Sequence, residues 1–204
     1  MMLEGRKLAF RYGEQREWLF KDFDLRVAPG EIVGIPGPSG RGKSTLAKVL
    51  SGYLPPQEGG VFMDGRPLPK SGCCPVQLLF QHPQLAVNPR WKIEAIMRES
   101  EEPPPELLRG LSINSAWLER YPHELSGGEL QRVCLARALG SQTRYLLCDE
   151  ITSMLDALTQ VSIWRTLLHI ARKRELGLIV ISHDYALLKK LCARIITYFE
   201  KGSG

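Results

Sequence analysis

The sequence predicts an α/β fold with a mostly parallel sheet and helices on both faces. Short apolar runs (EIVGI, VQLLF, RYLLCDE and LIVIS) alternate with segments of helical periodicity, as in chains that form such a sheet. The glycine-rich stretch GPSGRGKST lies between the first apolar run and a helical segment. A strand, a glycine loop and a helix in this order suit phosphate, which binds at a helix N-terminus.

The glycine-rich stretch spans residues 37–45 and is the most informative part of the chain. Small residues let the backbone curl so that several N–H groups point at one anion. Lys43 adds a positive charge for the β- and γ-phosphates, and the Ser44 hydroxyl can hold Mg²⁺. We therefore predict nucleotide binding, rather than an ordinary glycine turn, by Gly37, Pro38, Ser39, Gly40, Arg41, Gly42, Lys43, Ser44 and Thr45.

Length and composition suit one sizeable domain or two small lobes in 204 residues. The net charge is +5, but no aromatic residues are interleaved with a basic stripe, so no nucleic-acid partner is expected. No apolar run approaches the roughly 18 residues that span a bilayer. The first residues, MMLEGRKLAF, lack the apolar core of a signal peptide, which predicts a cytoplasmic chain.

The remaining elements follow from turn signals and periodicity. Two N-terminal strands are predicted, then a hairpin turning at Asp64 and Gly65, and a last strand is predicted at RIITYF. The segment LTQVSIWRTLLHIARKRELG is predicted as an amphipathic helix closed by Gly177. Ser126 is predicted to cap a second helix. Five cysteines, an odd number, argue against a disulfide framework.

Two acids, Asp149 and Glu150, follow the apolar run RYLLC. Ligands bind beyond the carboxyl ends of strands in open α/β sheets. Asp149 then suits a Mg²⁺ role, and Glu150 is placed to polarise an attacking water. The alternative is a pair of surface acids that end a strand.

The segment LSGGELQR, residues 125–132, resembles the signature sequence of the ABC-type ATPases. It follows a phosphate loop and precedes LLCDE and ISHD, in the family's order. The resemblance implies one ABC ATPase domain over residues 1–204: a P-loop NTPase core with an antiparallel β edge and a helical ABC-type subdomain. The core would take residues 1–80 and 135–204, and the helical subdomain residues 81–134.

The same resemblance implies a head-to-tail dimer with ATP and Mg²⁺ between two subunits. The partner's phosphates would meet Ser126, Gly127, Gly128 and Glu129. Gln81 would be the glutamine-loop residue that senses Mg²⁺ and the attacking water. His183 would be the switch histidine, and Tyr12 would be the aromatic residue that stacks on adenine. A strand-end role for Tyr12 stays open.

Leu155 and Asp156 match the loop that contacts the opposite subunit. Three positions depart from the family's common pattern. Glu129 stands where the family commonly has glutamine, Ile151 where it has proline, and Met154 where it has alanine.

Two segments, LLFQHPQLAVNPR and RYPHELSGGELQR, resemble the dipeptide, oligopeptide and nickel importers. This resemblance implies a transporter ATPase at the cytoplasmic face of the membrane. Its partners would be a second ABC ATPase subunit (in a hetero- or homodimer), transmembrane permease subunits and, indirectly, a substrate-binding protein. The transported solute would be a short peptide, nickel or a metal chelate. A soluble ABC-type regulatory or nucleic-acid ATPase without a permease is the alternative.

Overall fold

The computed structural model describes residues 2–99 and 103–200. Its strands are β1 Leu3–Phe10, β2 Phe20–Val27, β3 Ile32–Pro36, β4 Glu58–Met63, β5 Arg66–Pro67, β6 Val76–Leu79, β7 Tyr145–Asp149, β8 Gly177–Ser182 and β9 Arg194–Ile195. Its α-helices are α1 Lys43–Leu50, α2 Ile93–Met97, α3 Pro105–Gly110, α4 Gly127–Ala138, α5 Ala157–Arg174 and α6 Tyr185–Leu191. Short 3₁₀ helices cover Pro83–Ala86, Ser115–Trp117 and Pro122–Glu124.

The strands form two sheets. A parallel sheet has the order β6-β7-β8-β3-β9, and a separate antiparallel sheet has the order β2-β1-β4-β5. In the β4–β5 hairpin, Asp64 and Gly65 have φ of 51° and 75°, the left-handed pair that a tight two-residue turn requires. The predicted α/β class is confirmed, and the antiparallel part is a sheet of its own.

The parallel sheet is covered on both faces, because its central strands β7 and β8 are buried at every position. Along β7, Leu146 and Cys148 belong to one hydrophobic cluster, whereas Tyr145 and Leu147 belong to the other. The first cluster is completed by helices α2 to α6. The second is completed by α1 and the antiparallel sheet. Because successive side chains of a strand point to opposite faces, each strand contributes to both hydrophobic clusters, and the sheet lies between them.

The segment between β6 and β7 is helical in short pieces. Its residues Ile93, Ile96, Leu107 and Leu130 are buried in the first cluster, beside residues of β7 and β8. Pro105 is the first residue of α3, where the missing N–H costs nothing. No helix among the described residues is both long and apolar enough to cross a membrane.

Two predicted boundaries were wrong. Helix α5 ends at Arg174, and Glu175, in the left-handed conformation with φ 50°, closes it; Gly177 begins β8 instead. Gly177 is needed there for space, since a Cβ would lie 2.3 Å from the ring of Tyr145. The last strand is confined to Arg194–Ile195, and the chain then turns so that Phe199 packs into the second cluster.

Tyr145 joins the two sheets. Its buried hydroxyl donates to the Val27 carbonyl at 2.9 Å and accepts from the Leu3 amide at 3.2 Å. Burial raises the pKa of Tyr145 to about 12, so the side chain stays a neutral donor. The hydroxyl therefore satisfies buried backbone groups on β2 and β1 that have no access to water.

We expect Tyr145→Phe to lower the free energy of unfolding by about 1–3 kcal/mol, because it leaves a buried carbonyl and amide unpaired. Denaturant titration measures the change. Tyr53→Phe removes a hydroxyl from a tyrosine that is 60% exposed, and should change stability by less than about 0.5 kcal/mol. Equal stability of the two variants would contradict the bridging role.

Candidate nucleotide-binding and catalytic site

The carboxyl ends of the parallel strands lie at one edge of the sheet. Pro36 at the end of β3 is in register with Ser182 at the end of β8, and Asp149 at the end of β7 is in register with Ile181. Strand β6 ends at Leu79, beside β7. The loops that follow these strands carry most of the residues predicted to bind nucleotide, so the register brings them together.

The phosphate loop runs from Gly37 to Gly42, between β3 and α1, and two of its glycines are required by geometry. Gly37 has φ 148°, and a Cβ there would lie 2.9 Å from the Cβ of Phe199. Gly42 has φ 92°, and a Cβ there would lie 3.0 Å from the Cβ of Leu19. Residues 38–41 are exposed, so the loop opens to solvent.

Lys43 lies at the start of α1 and is buried. Its Nζ donates to the carbonyl oxygens of Gly37 and Pro38, each at 2.7 Å. An ammonium has three donors, so one remains for a phosphate oxygen. Burial lowers the pKa of Lys43, whereas the nearby Glu150 and Asp149 oppose this shift. The lysine thus fixes the loop and adds positive charge.

Asp149 is 7% exposed, and its carboxylate accepts a hydrogen bond from the Ser44 side chain. Burial raises the pKa of Asp149, and the neighbouring Glu150 raises it further, whereas Ser44, Lys43 and Lys48 lower it. A partly desolvated carboxylate beside a hydroxyl offers hard oxygen ligands to a small divalent cation. The two residues predicted as metal ligands on β7 and α1 therefore lie in contact.

Glu150 joins the other predicted catalytic residues. One carboxylate oxygen accepts from Gln81 Nε2 at 3.2 Å, and the other lies 3.2 Å from His183 Nδ1. Glu150 has φ 49°, a left-handed conformation that is uncommon for glutamate. Gln81 Nε2 also lies 3.4 Å from Ser153 Oγ, which donates to the Glu150 carbonyl at 3.0 Å. Gln81 and His183, from two other loops, thus meet at the Glu150 carboxylate.

Tyr12 lies in the loop between β1 and β2, next to the first turn of α1. Its hydroxyl is 3.3 Å from Thr45 Oγ1, and its ring meets Phe10 edge-on with centroids 5.0 Å apart. The side chain is 47% exposed. A ring held in this way beside the phosphate loop can offer one face to a flat ligand.

The signature segment opens α4. The Ser126 side chain accepts from the Glu129 amide at 3.3 Å, and the Glu129 carboxylate accepts from the Ser126 amide at 2.7 Å. This reciprocal pair confirms Ser126 as the helix cap. The bonds to Ser126 lower the pKa of Glu129, so the carboxylate stays charged. Ser126 and Gly127 are exposed.

The loop between Glu150 and α5 contacts the signature segment. Asp156 caps α5 by accepting from the Thr159 amide at 3.0 Å. A Cβ at Gly128 would lie 3.2 Å from Thr159 Cγ2 and 3.7 Å from Leu155 Cδ2, so a larger residue there would crowd α5. The Thr152 side chain accepts from the buried Trp164 indole at 3.1 Å, which fixes the start of this loop.

Two of the three departures from the common pattern also lie in this loop. Ile151 is buried in the first hydrophobic cluster, so its side chain stabilises the loop by packing. Met154 is 66% exposed.

The sequence-predicted residues form two groups. The first group is joined by hydrogen bonds, by an ion pair and by adjacency along the chain. It contains Tyr12, the phosphate loop, Lys43 to Thr45, Gln81, Asp149, Glu150 and His183. Among the residues that the structure describes, no hydrogen bond or ion pair connects Ser126, Gly127 or Glu129 to that group. Leu19 and Phe199, which pack against the loop glycines, were not predicted, because neither lies in a motif.

The family comparison agrees with this geometry. The family model described as "ABC transporter" matches residues 20–153, which include the phosphate loop, the signature segment and both acids. The chain belongs to the ABC transporter family. It is an ABC ATPase, and ATP is its nucleotide.

Named relatives cover most of this ABC ATPase. The nickel import system ATP-binding protein NikE of Staphylococcus aureus (strain MSSA476) is 35% identical, over 96% of this chain and 85% of that protein. The nickel import ATP-binding protein NikE of Escherichia coli (strain K12) is 34% identical, over 92% of this chain and 77% of that protein. A solved structure described as a dimeric structure of MJ0796, a bacterial ABC transporter cassette, superimposes with a TM-score of 0.79. It is 26% identical and covers 96% of this chain and 93% of that one.

We expect Lys43→Ala to weaken ATP binding to the isolated ABC ATPase by tenfold or more, since it removes about 1.5–3 kcal/mol of charged hydrogen bonding. Displacement of a fluorescent nucleotide gives the affinity. The control Lys70→Ala removes an exposed lysine in the loop after β5 and should leave affinity unchanged. Unchanged affinity in Lys43→Ala would contradict the assigned phosphate contact.

Proposed function

We propose that this ABC ATPase is the ATP-hydrolysing subunit of an importer that carries a small solute, and that ATP drives closure of two such subunits. The assembly of Gln81, Asp149, Glu150 and His183 around the phosphate loop supports hydrolysis. The names of the relatives support import and favour nickel over a short peptide. The subunit would bind permease subunits at the cytoplasmic face of the membrane, and a substrate-binding protein would deliver the solute.

The nucleotide would lie across the loop and α1. The backbone N–H groups of Gly37 and of residues 39–42, the free donor of Lys43 and the hydroxyl of Thr45 would hold its phosphates. The N-terminus of α1 adds a favourable dipole. The exposed face of Tyr12 would stack on adenine, which supports affinity through a flat, largely apolar contact.

Magnesium fits the oxygen ligands at the end of β7. The Ser44 hydroxyl is hydrogen-bonded to the Asp149 carboxylate. Gln81, which lies beside Glu150, would add an amide oxygen. These residues would hold the ion, directly or through water, as small hard cations require. When bound, it supplies positive charge that offsets charge on the β- and γ-phosphates.

Glu150 is the proposed catalytic base. Its two oxygens are held by Gln81 and His183, so the carboxylate has a fixed direction at the edge of the sheet. A water within hydrogen-bond distance of this carboxylate would be oriented and polarised for attack on the γ-phosphate. His183, whose side chain is 59% exposed, can also reach the γ-phosphate once nucleotide is bound.

The signature segment would act on the partner's nucleotide. Ser126 accepts from the Glu129 amide, and its hydroxyl proton would turn from the Glu129 carboxylate to a phosphate oxygen of the partner's nucleotide. Exposed Gly127 and the N-terminus of α4 would add amide donors. The dimeric cassette among the similar structures supports a second ABC ATPase subunit, identical or different, as the source of the facing loop.

A cleft of about 630 Å³ suits the permease. It lies where α1, β6 and the helical segment meet, and its lining includes Gln77, Ala86 and the ion pair between Arg137 and Glu99 at 2.8 Å. Since Gln81 follows β6 closely, a permease helix in this cleft would respond to events at Glu150. Closure around ATP would then move the helical segment and the helix it holds.

We expect Glu150→Gln to keep ATP binding, to slow turnover by about a hundredfold or more, and to trap an ATP-bound dimer. The amide keeps the hydrogen bond to Gln81 or His183 but cannot accept a proton from water. Phosphate release and gel filtration with ATP measure the two effects. Glu119→Gln, at an exposed side chain bonded to Lys92, serves as the control. Normal hydrolysis in Glu150→Gln would remove Glu150 as the base.

Recovery of partners tests the transporter assignment. The tagged chain, purified from detergent-solubilised cells, should bring down permease subunits, and Ala86→Arg in the cleft should reduce that recovery without weakening ATP binding. Recovery of DNA or ribosomes in place of permease would favour a soluble regulatory or nucleic-acid ATPase.

Solute uptake tests which solute is carried. In cells lacking the chain, loss of nickel accumulation supports nickel as the solute. Loss of short-peptide uptake with normal nickel accumulation assigns a peptide.

A further inference from the structure

We infer that the Tyr12 hydroxyl is a positioning group that connects the adenine platform to the phosphates through Thr45. The inference rests on the proposed function, because it takes Tyr12 as the adenine contact and Thr45 as a phosphate contact. The evidence for it is the 3.3 Å distance between the Tyr12 hydroxyl oxygen and Thr45 Oγ1. The chemical class that such a pair recognises is a nucleotide with at least one phosphate.

The ring of Tyr12 is held at two points. Phe10, which is 8% exposed, packs edge-on against the ring, and the hydroxyl at the opposite end meets Thr45. The next residue, Gly13, has φ 89° and leads into an exposed turn. The hydroxyl contact therefore restrains the end of the ring that lies opposite Phe10.

The other end of the same loop also touches the phosphate site. The Leu19 amide donates to the Phe10 carbonyl at 2.9 Å, and Leu19 packs against Gly42. The loop from β1 to β2 is therefore attached to the phosphate loop at Gly42 and to α1 at Thr45. These attachments connect the proposed adenine-binding ring directly to the phosphate loop and to α1.

The direction of the hydrogen bond follows from the ligand. A phosphate oxygen carries no proton to donate at neutral pH, so Thr45 must donate to it. A hydroxyl has one proton, and Thr45 must then accept from the Tyr12 hydroxyl. Thr45 is 7% exposed, which limits replacement of Tyr12 by water. The result is a chain of two hydrogen bonds, from Tyr12 to Thr45 and from Thr45 to phosphate, in which each bond strengthens the other.

The test compares ADP with adenosine, which lacks phosphate. Both displace a fluorescent ADP from the full chain, without Mg²⁺. We expect Tyr12→Phe to weaken ADP binding by about three- to tenfold, the loss of one neutral hydrogen bond, and to change adenosine binding by less than about twofold. Tyr12→Ala, which also removes the ring, should weaken both ligands. Tyr185→Phe, on an exposed tyrosine of α6, should change neither.

A double-mutant cycle provides the second measurement. In a Thr45→Val background, which keeps the shape but lacks the hydroxyl, Tyr12→Phe should cause no further loss of ADP affinity. Additive losses, equal losses for ADP and adenosine, or no loss with Tyr12→Phe would each overturn the inference. If Tyr12→Ala also leaves both affinities unchanged, the adenine role of Tyr12 in the proposed function fails as well. If Tyr12→Ala weakens both while Tyr12→Phe weakens neither, only the hydrogen-bond chain fails.

Discussion

The parallel pairing of β6, β7, β8 and β3 is the constraint on which the site depends. Because these strands are buried on both faces, a shift of one residue would exchange the two hydrophobic clusters, and the register is therefore fixed. That register ends the strands at one edge, with Pro36 beside Ser182 and Asp149 beside Ile181. The phosphate loop, both acids, Gln81 and His183, which are far apart in the sequence, therefore meet at this edge.

Charged side chains of both signs lie close together at the carboxyl edge of the parallel sheet. Lys43 is buried with a lowered pKa, Asp149 is buried with a raised pKa, and Glu150 lies beside both. Buried charges are stable only with partners, and here backbone carbonyls and Ser44 supply part of what they need. A nucleotide with its metal would complete the pairing, because it adds negative charge at Lys43 and positive charge at Asp149.

The fold and most of the candidate site could be predicted from the sequence, because both depend on local patterns. Apolar runs of strand length located β3, β6, β7 and β8, and the motif order placed Lys43, Glu150 and His183 after them. The errors arose where tertiary contacts decide. Glu175 closes α5 in a conformation that its residue type does not favour, and Gly177 is small because Tyr145 lies against it. Phe199 turns inward to pack beside Gly37, which no strand periodicity could reveal.

The signature segment lies apart from the other predicted site residues. Ser126, Gly127 and Glu129 are exposed or half-exposed, and no hydrogen bond or ion pair among the described residues joins them to the phosphate loop. The Ser126 side chain caps α4 at this exposed position. We propose that the nucleotide site is half of a composite site, which a second subunit would complete.

The most direct test replaces Ser126 with arginine and measures two quantities. We expect Ser126→Arg to leave the affinity of the isolated chain for ATP unchanged, because Ser126 serves the facing site. In the transporter purified with its permease, the same change should reduce ATP hydrolysis to about half or less, since every site completed by Ser126 is lost. Lost affinity in the isolated chain, or unchanged hydrolysis in the complex, would contradict the composite site.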